Sequence, residues 1–170
     1  MTSPENKRKE LEHILRSENF VQIADTIRIL RHESSFNGAI GLLVSFYDKS
    51  DNIAVRELIR EFLNDLKDKS LRIEVIEQIK KDIKPDTLRM LVSSCWQSGL
   101  DYAAYSDDFA KLFLSVDYMT AIECFTVIEA SVPNMTRAKK DEVIKMIRDW
   151  LPADLGEKSA LAHELISVLE

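Results

Sequence analysis

The sequence predicts an all-α chain, about ten antiparallel helices stacked as a right-handed α-solenoid. Three observations carry that expectation. Apolar residues recur at three- and four-residue spacing in nearly every segment, and no run fits a strand better than a helix. The 170 residues include only 4 Gly and 4 Pro, too few turn-formers for an all-β chain, which turns every 8–12 residues or so. Between Ser35 and Ser131, one pattern is written twice. Its first copy runs from Leu42-Leu43-Val44-Ser45 through Leu58-Ile59-Arg60-Glu61-Phe62-Leu63 to Val75-Ile76-Glu77. The second runs from Met90-Leu91-Val92-Ser93 through Phe109-Ala110-Lys111-Leu112-Phe113-Leu114 to Val127-Ile128-Glu129. Matched positions lie 48 to 52 residues apart, three helices to a copy. Self-similarity at about this period is a signature of solenoids, whose units bury their apolar faces by stacking on neighbours.

Each helix has its own stripe. Leu11, Ile14 and Leu15 follow Ser3 as N-cap and Pro4 at the first helical position. Phe20, Ile23, Ala24, Ile27 and Leu30 make the second stripe, and Phe36, Ala39, Ile40, Leu43, Phe46 and Tyr47 the third. Leu42 and Val44 lie opposite that third stripe, so this helix is expected to be buried on more than one side. Val55, Leu58, Ile59, Phe62, Leu63 and Leu66 alternate most cleanly, with Asp51 as the expected cap. Leu71, Val75, Ile76, Ile79 and Ile83 follow with Ser70 as the expected cap, and Pro85 opens a helix carrying Leu88, Leu91, Val92, Cys95 and Trp96 that ends at Gly99. The second half continues with Phe109, Leu112, Phe113 and Val116, then Ala121, Ile122, Phe125 and Ile128 capped by Asp117. Val143, Met146, Ile147 and Trp150 lie between Pro133 and Pro152, and Leu161, Leu165, Val168 and Leu169 follow Gly156. No linker divides these segments, so a single domain over residues 1–170 is expected.

With 45% apolar and 31% charged residues, the chain has the composition of a folded soluble domain. Its net charge of −6 works against a phosphate backbone. The basic clusters at Lys7-Arg8-Lys9 and at Arg137, Lys139 and Lys140 are short and sit among acids, as solvated helix faces do. No nucleic-acid partner is expected. Cys95 and Cys124 fall inside apolar helical runs and read as buried, reduced thiols. The polar N-terminal residues are read as carrying no export signal, and no apolar run approaches a membrane span, so a cytoplasmic protein without membrane contact is expected.

Paired helices with this spacing and these Leu/Ile/Val/Phe stripes resemble the HEAT and armadillo class of α-solenoids over roughly residues 19–151. A HEAT unit usually has a proline that kinks its first helix; here Lys84-Pro85-Asp86 opens a helix instead, and no Asp-to-Arg ladder repeats. The resemblance implies a scaffold that binds partners on a concave face.

Few residues offer chemistry. His13, His32 and His163 are far apart and lack partners at metal-ligand spacing, so no metal or cofactor is expected. Gly38 and Gly41 lie in a helical run and read as permitting close packing rather than cradling a phosphate. Asp107 and Asp108 stand just after Ser106 at a helix start, where negative charge complements the helix dipole. One segment stands apart. From Trp96 to Tyr118, aromatics (Trp96, Tyr102, Tyr105, Tyr118) interleave with acids (Asp101, Asp107, Asp108, Asp117) around two turns. Trp96, Asp101, Tyr102, Tyr105, Asp108 and Tyr118 are the candidate contact residues for another protein or a basic peptide. The alternative is that the rings pack the turn and the acids cap helices. The expected function is a non-catalytic interaction scaffold. The alternatives are a HEAT-like hydrolase or DNA glycosylase with an acid-dependent site, and a homodimer joined through a terminal helix.

Overall fold

The computed structural model describes residues 2–153 and 156–170. Of these, 77% are helical, in ten α-helices and three short 3-10 turns, with no strand among the described residues. The chain divides into two compact units, one up to Ser98 and one from Gly99.

The first unit holds α1 (Pro4–Arg16), α2 (Phe20–His32), α3 (Ala39–Lys49), α4 (Ile53–Asn64), α5 (Arg72–Ile79) and α6 (Pro85–Gln97). Ser3 Oγ accepts the Asn6 N–H at 3.2 Å, with Pro4 opening α1, and Asn19 Oδ1 accepts the Gln22 N–H at 3.1 Å to start α2. The expected cap Asp51 stands one residue too early. Because α4 begins at Ile53, it is Asn52 whose Oδ1 accepts the Val55 N–H, at 3.0 Å. Ser70 does not cap α5 either. It lies in a 3-10 turn (Lys69–Leu71) and donates both its N–H and its hydroxyl to Asp68, which caps that turn.

Gly38 precedes α3 rather than lying within it, in a left-handed conformation (φ 95°) that favours glycine. As N-cap it has no side chain to satisfy the first amides, and Glu74 of α5 fills that role, its Oε1 accepting the N–H groups of Gly38 and Gly41 at 3.1 Å each. A Cβ on Gly41 would meet the Gln78 amide at 3.1 Å, so the small residue is what lets α5 approach.

Within this unit, α1 packs on α2 and α3, α2 on α4, α3 on α4, α5 and α6, and α4 and α5 on α6. The odd helices follow one another, as do the even ones, and each odd helix also packs on the even helix after it. Contact with four helices accounts for the burial expected of α3: Ile40 and Leu43 are fully buried, and Leu42 and Phe46 half-buried. The even helices start at Phe20, Ile53 and Pro85, steps of 33 and 32 residues. Ion pairs and hydrogen bonds between helices keep that step: Arg31 pairs with Glu61 and Asp65, Arg56 with Asp86, and Asn64 with Gln97, at separations of 30 to 34 residues.

The step of 32 to 33 residues between the even helices is shorter than the 48–52 separation of the matched segments in the sequence. The longer match sets α3 against α6, α4 against α7 and α5 against α8, odd helices against even ones. All of them carry the same 3–4 apolar spacing, which is enough to make them look alike. Burial at several matched positions agrees: Val75, Ile76, Val127 and Ile128 are buried, and Glu77 and Glu129 exposed.

The second unit holds α7 (Ser106–Ser115), α8 (Tyr118–Ser131), α9 (Arg137–Trp150) and α10 (Lys158–Leu169), with 3-10 turns at Ala103–Tyr105 and Val132–Asn134. It follows the same order: α7 packs on α8 and α9, and α10 on α8 and α9. Asp117 caps α8 through the Thr120 N–H at 2.9 Å, and Thr136 caps α9.

Charged side chains also close helix ends from a distance. Asp48 Oδ1 accepts the Lys84 N–H at the start of α6, and Lys67 Nζ donates to the Ser98 carbonyl at its end. Arg137 donates to the carbonyls of Leu169 and Glu170. The ammonium of Lys158, from the first turn of α10, donates to the carbonyls of Phe113, Leu114 and Val116 at 3.1, 3.1 and 2.7 Å. In these contacts Asp48 meets the N-terminus of another helix, and Lys67, Arg137 and Lys158 meet C-terminal carbonyls, as the helix dipole favours.

Candidate functional site

The residues singled out between Trp96 and Tyr118 are placed differently from one another. Trp96 lies on α6 in the first unit and is 39% exposed. Tyr102 is 2% exposed: its ring meets Phe109 edge-on at 5.8 Å and Tyr105 at 6.2 Å. That ring is part of the core of the second unit, because the 3-10 turn at Ala103–Tyr105 folds it inward ahead of α7. Tyr105, Asp108 and Tyr118 are half-buried and Asp101 is exposed.

The acids of this segment serve the fold. Asp101 Oδ1 accepts the Ala103 N–H at 2.8 Å, Asp117 caps α8, and Asp107 pairs with Lys139 of α9 at 3.2 Å. Burial would raise the pKa of Asp107, but the hydrogen bond and charge of Lys139 outweigh it and hold the carboxyl below its ordinary value.

His13, His32 and His163 are exposed on three different helices, and Cys95 and Cys124 are free, buried thiols. No group of three or more His, Cys, Asp or Glu capable of holding a metal occurs among the described residues. No described helix is long and apolar enough to cross a membrane.

A cleft of about 820 Å³ lies in the first unit, open to solvent at the links that join α1 to α2 and α3 to α4. Its apolar wall is Leu15, Phe20, Leu42 and Phe46, and Ser45, Ser50 and Asn52 supply hydroxyl and amide groups. Five charged residues border it. Glu12 and Arg16 pair with each other at 2.6 Å. The side chains of Glu18, Lys49 and Asp51 have no hydrogen-bond or ion-pair partner among the described residues.

The link from α1 to α2 is three residues long, and its geometry is demanding. Ser17 closes α1 by donating its hydroxyl to the Ile14 carbonyl at 2.6 Å, and Asn19 already caps α2. Glu18, between them, takes a left-handed conformation (φ 55°), the sole non-glycine among the described residues to do so. That conformation costs a residue with a Cβ about 1–2 kcal/mol.

A second depression, of about 480 Å³ and mostly apolar, adjoins the cleft and shares Phe20 and Asn52 with it, adding Val21, Ala24, Val55 and Leu58. Of the large apolar side chains in solvent, Phe20 (44% exposed) and Val21 (74%) line this depression and Ile53 (82%) follows Asn52 in the chain, while Ile29, Ile73, Trp96 and Met119 are exposed elsewhere. These positions carry a signal in the sequence, because Val21 and Ile53 are apolar yet fall off the stripes of α2 and α4. Compared with known families, curated proteins and solved structures, the chain matches none.

Proposed function

We propose that this chain is a non-catalytic protein-interaction module built on an α-solenoid of helix pairs of the HEAT/armadillo-like kind. The observation that carries the reading is the open cleft of about 820 Å³ beside the exposed Phe20, Val21 and Ile53. Large apolar side chains held in water next to a concavity mark a surface that another molecule covers. The solenoid part is supported by the contact order within each unit and by the step of about 33 residues between successive even helices of the first unit. In a stack of helix pairs, each pair supplies side chains to a continuous surface, which suits recognition of an extended segment of a partner protein.

The test is selection of binders. A random-peptide phage library is panned against the folded full chain, with urea-unfolded chain as the competitor. Enrichment of sequences that bind only the folded chain, reproduced with synthetic peptides at micromolar Kd, supports the module. No enrichment over several rounds counts against it.

A further inference from the structure

We infer that the cleft at the links of α1 to α2 and α3 to α4 receives a short segment of a partner protein that carries an apolar anchor residue beside a lysine or arginine. The inference rests on the interaction-module reading and specifies its site and ligand chemistry. Size comes first. About 820 Å³ is the range of pockets that enclose small ligands, enough for two or three side chains and too small for a domain surface. Leu15, Phe20, Leu42 and Phe46 provide an apolar wall, where an aliphatic or aromatic anchor leaves water.

Charge then sets the flanking residue. Glu12 and Arg16 neutralise each other, which leaves Glu18, Asp51 and Lys49 as the charges facing an incoming ligand. Their balance is one negative charge, and the Glu18 and Asp51 carboxylates accept no hydrogen bond from the described residues. Both are exposed, and a cationic side chain next to the anchor pairs with them by charge complementarity. The net charge of −6 on the whole chain steers the same kind of ligand. Lys49 opposes it, and that opposition gives the inference a signature of two signs.

The experiment uses the full chain and one probe, the most enriched peptide from the phage selection, labelled with fluorescein and titrated by anisotropy. The enriched sequences are expected to share Phe, Leu or Trp within two residues of Lys or Arg. Glu18→Lys combined with Asp51→Lys should weaken the probe at least about tenfold. Lys49→Ala should tighten it about two- to fivefold, an outcome that loss of folding cannot imitate. Ser45→Trp, which fills the cleft, should remove binding, whereas Asp82→Lys, an exposed change outside the cleft, should leave it within about twofold. Circular dichroism of each variant confirms that it is folded. Acidic consensus sequences, or a probe whose affinity ignores Glu18, Asp51, Lys49 and Ser45, overturn the inference while the module reading stands. Failure to enrich any peptide overturns both.

Discussion

Replacing Lys158 by methionine tests how the second unit is held together. The last carbonyls of a helix lack partners inside it. In α7 those of Phe113 and Leu114, with that of Val116 just beyond, all accept from the single ammonium of Lys158 at 2.7–3.1 Å. Hydrogen bonds from a charged donor are worth about 1.5–3 kcal/mol each, which would give roughly 5–9 kcal/mol for three. Two effects reduce that figure. Burial of the ammonium has a cost, seen in a pKa held below the ordinary lysine value by desolvation against the opposing fields of Cys124 and Asp117. Val116 and Leu114 are only half-buried, so water can replace part of what is lost. Interaction with the α7 dipole and the Trp150 ring, 5.2 Å away, adds back about 1 kcal/mol. The expected loss is about 2–4 kcal/mol, or a fall in Tm of roughly 5–15 °C for a chain of this length. Methionine keeps the unbranched apolar stem and lacks the ammonium, so packing along the stem changes little. Urea unfolding followed by far-UV circular dichroism measures the difference. A loss under about 0.5 kcal/mol would show that water satisfies these carbonyls equally well, and the long-range cap would then be no source of stability.

Three further substitutions probe other parts of the fold. Phe62, 3% exposed in α4, should cost about 3–5 kcal/mol as Phe62→Ala, read from the denaturation midpoint. Tyr102→Ala should cost a similar amount, since the ring is buried against Phe109 and Tyr105; a stable variant would place the ring outside the core. Asp107→Asn should cost about 1 kcal/mol at pH 7, because the Asp107–Lys139 pair is a quarter exposed on each side. The folded pKa of Asp107 lies below its unfolded value, so its contribution is present above about pH 4 and disappears as pH falls through the lowered value. The gap between wild type and Asp107→Asn should therefore close in acid, and urea titrations at pH 7 and pH 2.5 measure it.

What the sequence made legible was local. Ser3 with Pro4, Pro85 and Asp117 mark helix starts through residues within four positions of one another, and the apolar stripes located all ten helices. Caps formed at a distance left no such mark: Glu74 serves an amide 36 residues away, and Lys158 a carbonyl 45 residues away. Tyr102 illustrates a different ambiguity. An aromatic ring beside a turn serves equally well as a contact or as core, and only the 3-10 turn after it settles that it points inward. The 48–52 separation pairs α3 with α6, α4 with α7 and α5 with α8, and it follows from a 3–4 apolar stripe that most of the helices share. The cleft depends on two short links in space, Ser17–Asn19 and Ser50–Asn52, whose proximity no periodicity encodes.

In the proposed function, the cleft bordered by Glu18 and Asp51 is where this chain meets a partner protein. A titration of the 15N-labelled full chain with the selected peptide, followed by amide chemical shifts, tests it most directly. The account predicts that the shifted resonances cluster at residues 12–20 and 42–53, saturate with the anisotropy Kd, and vanish in Ser45→Trp. Shifts centred on residues 96–118, with residues 12–20 and 42–53 unmoved, would contradict it.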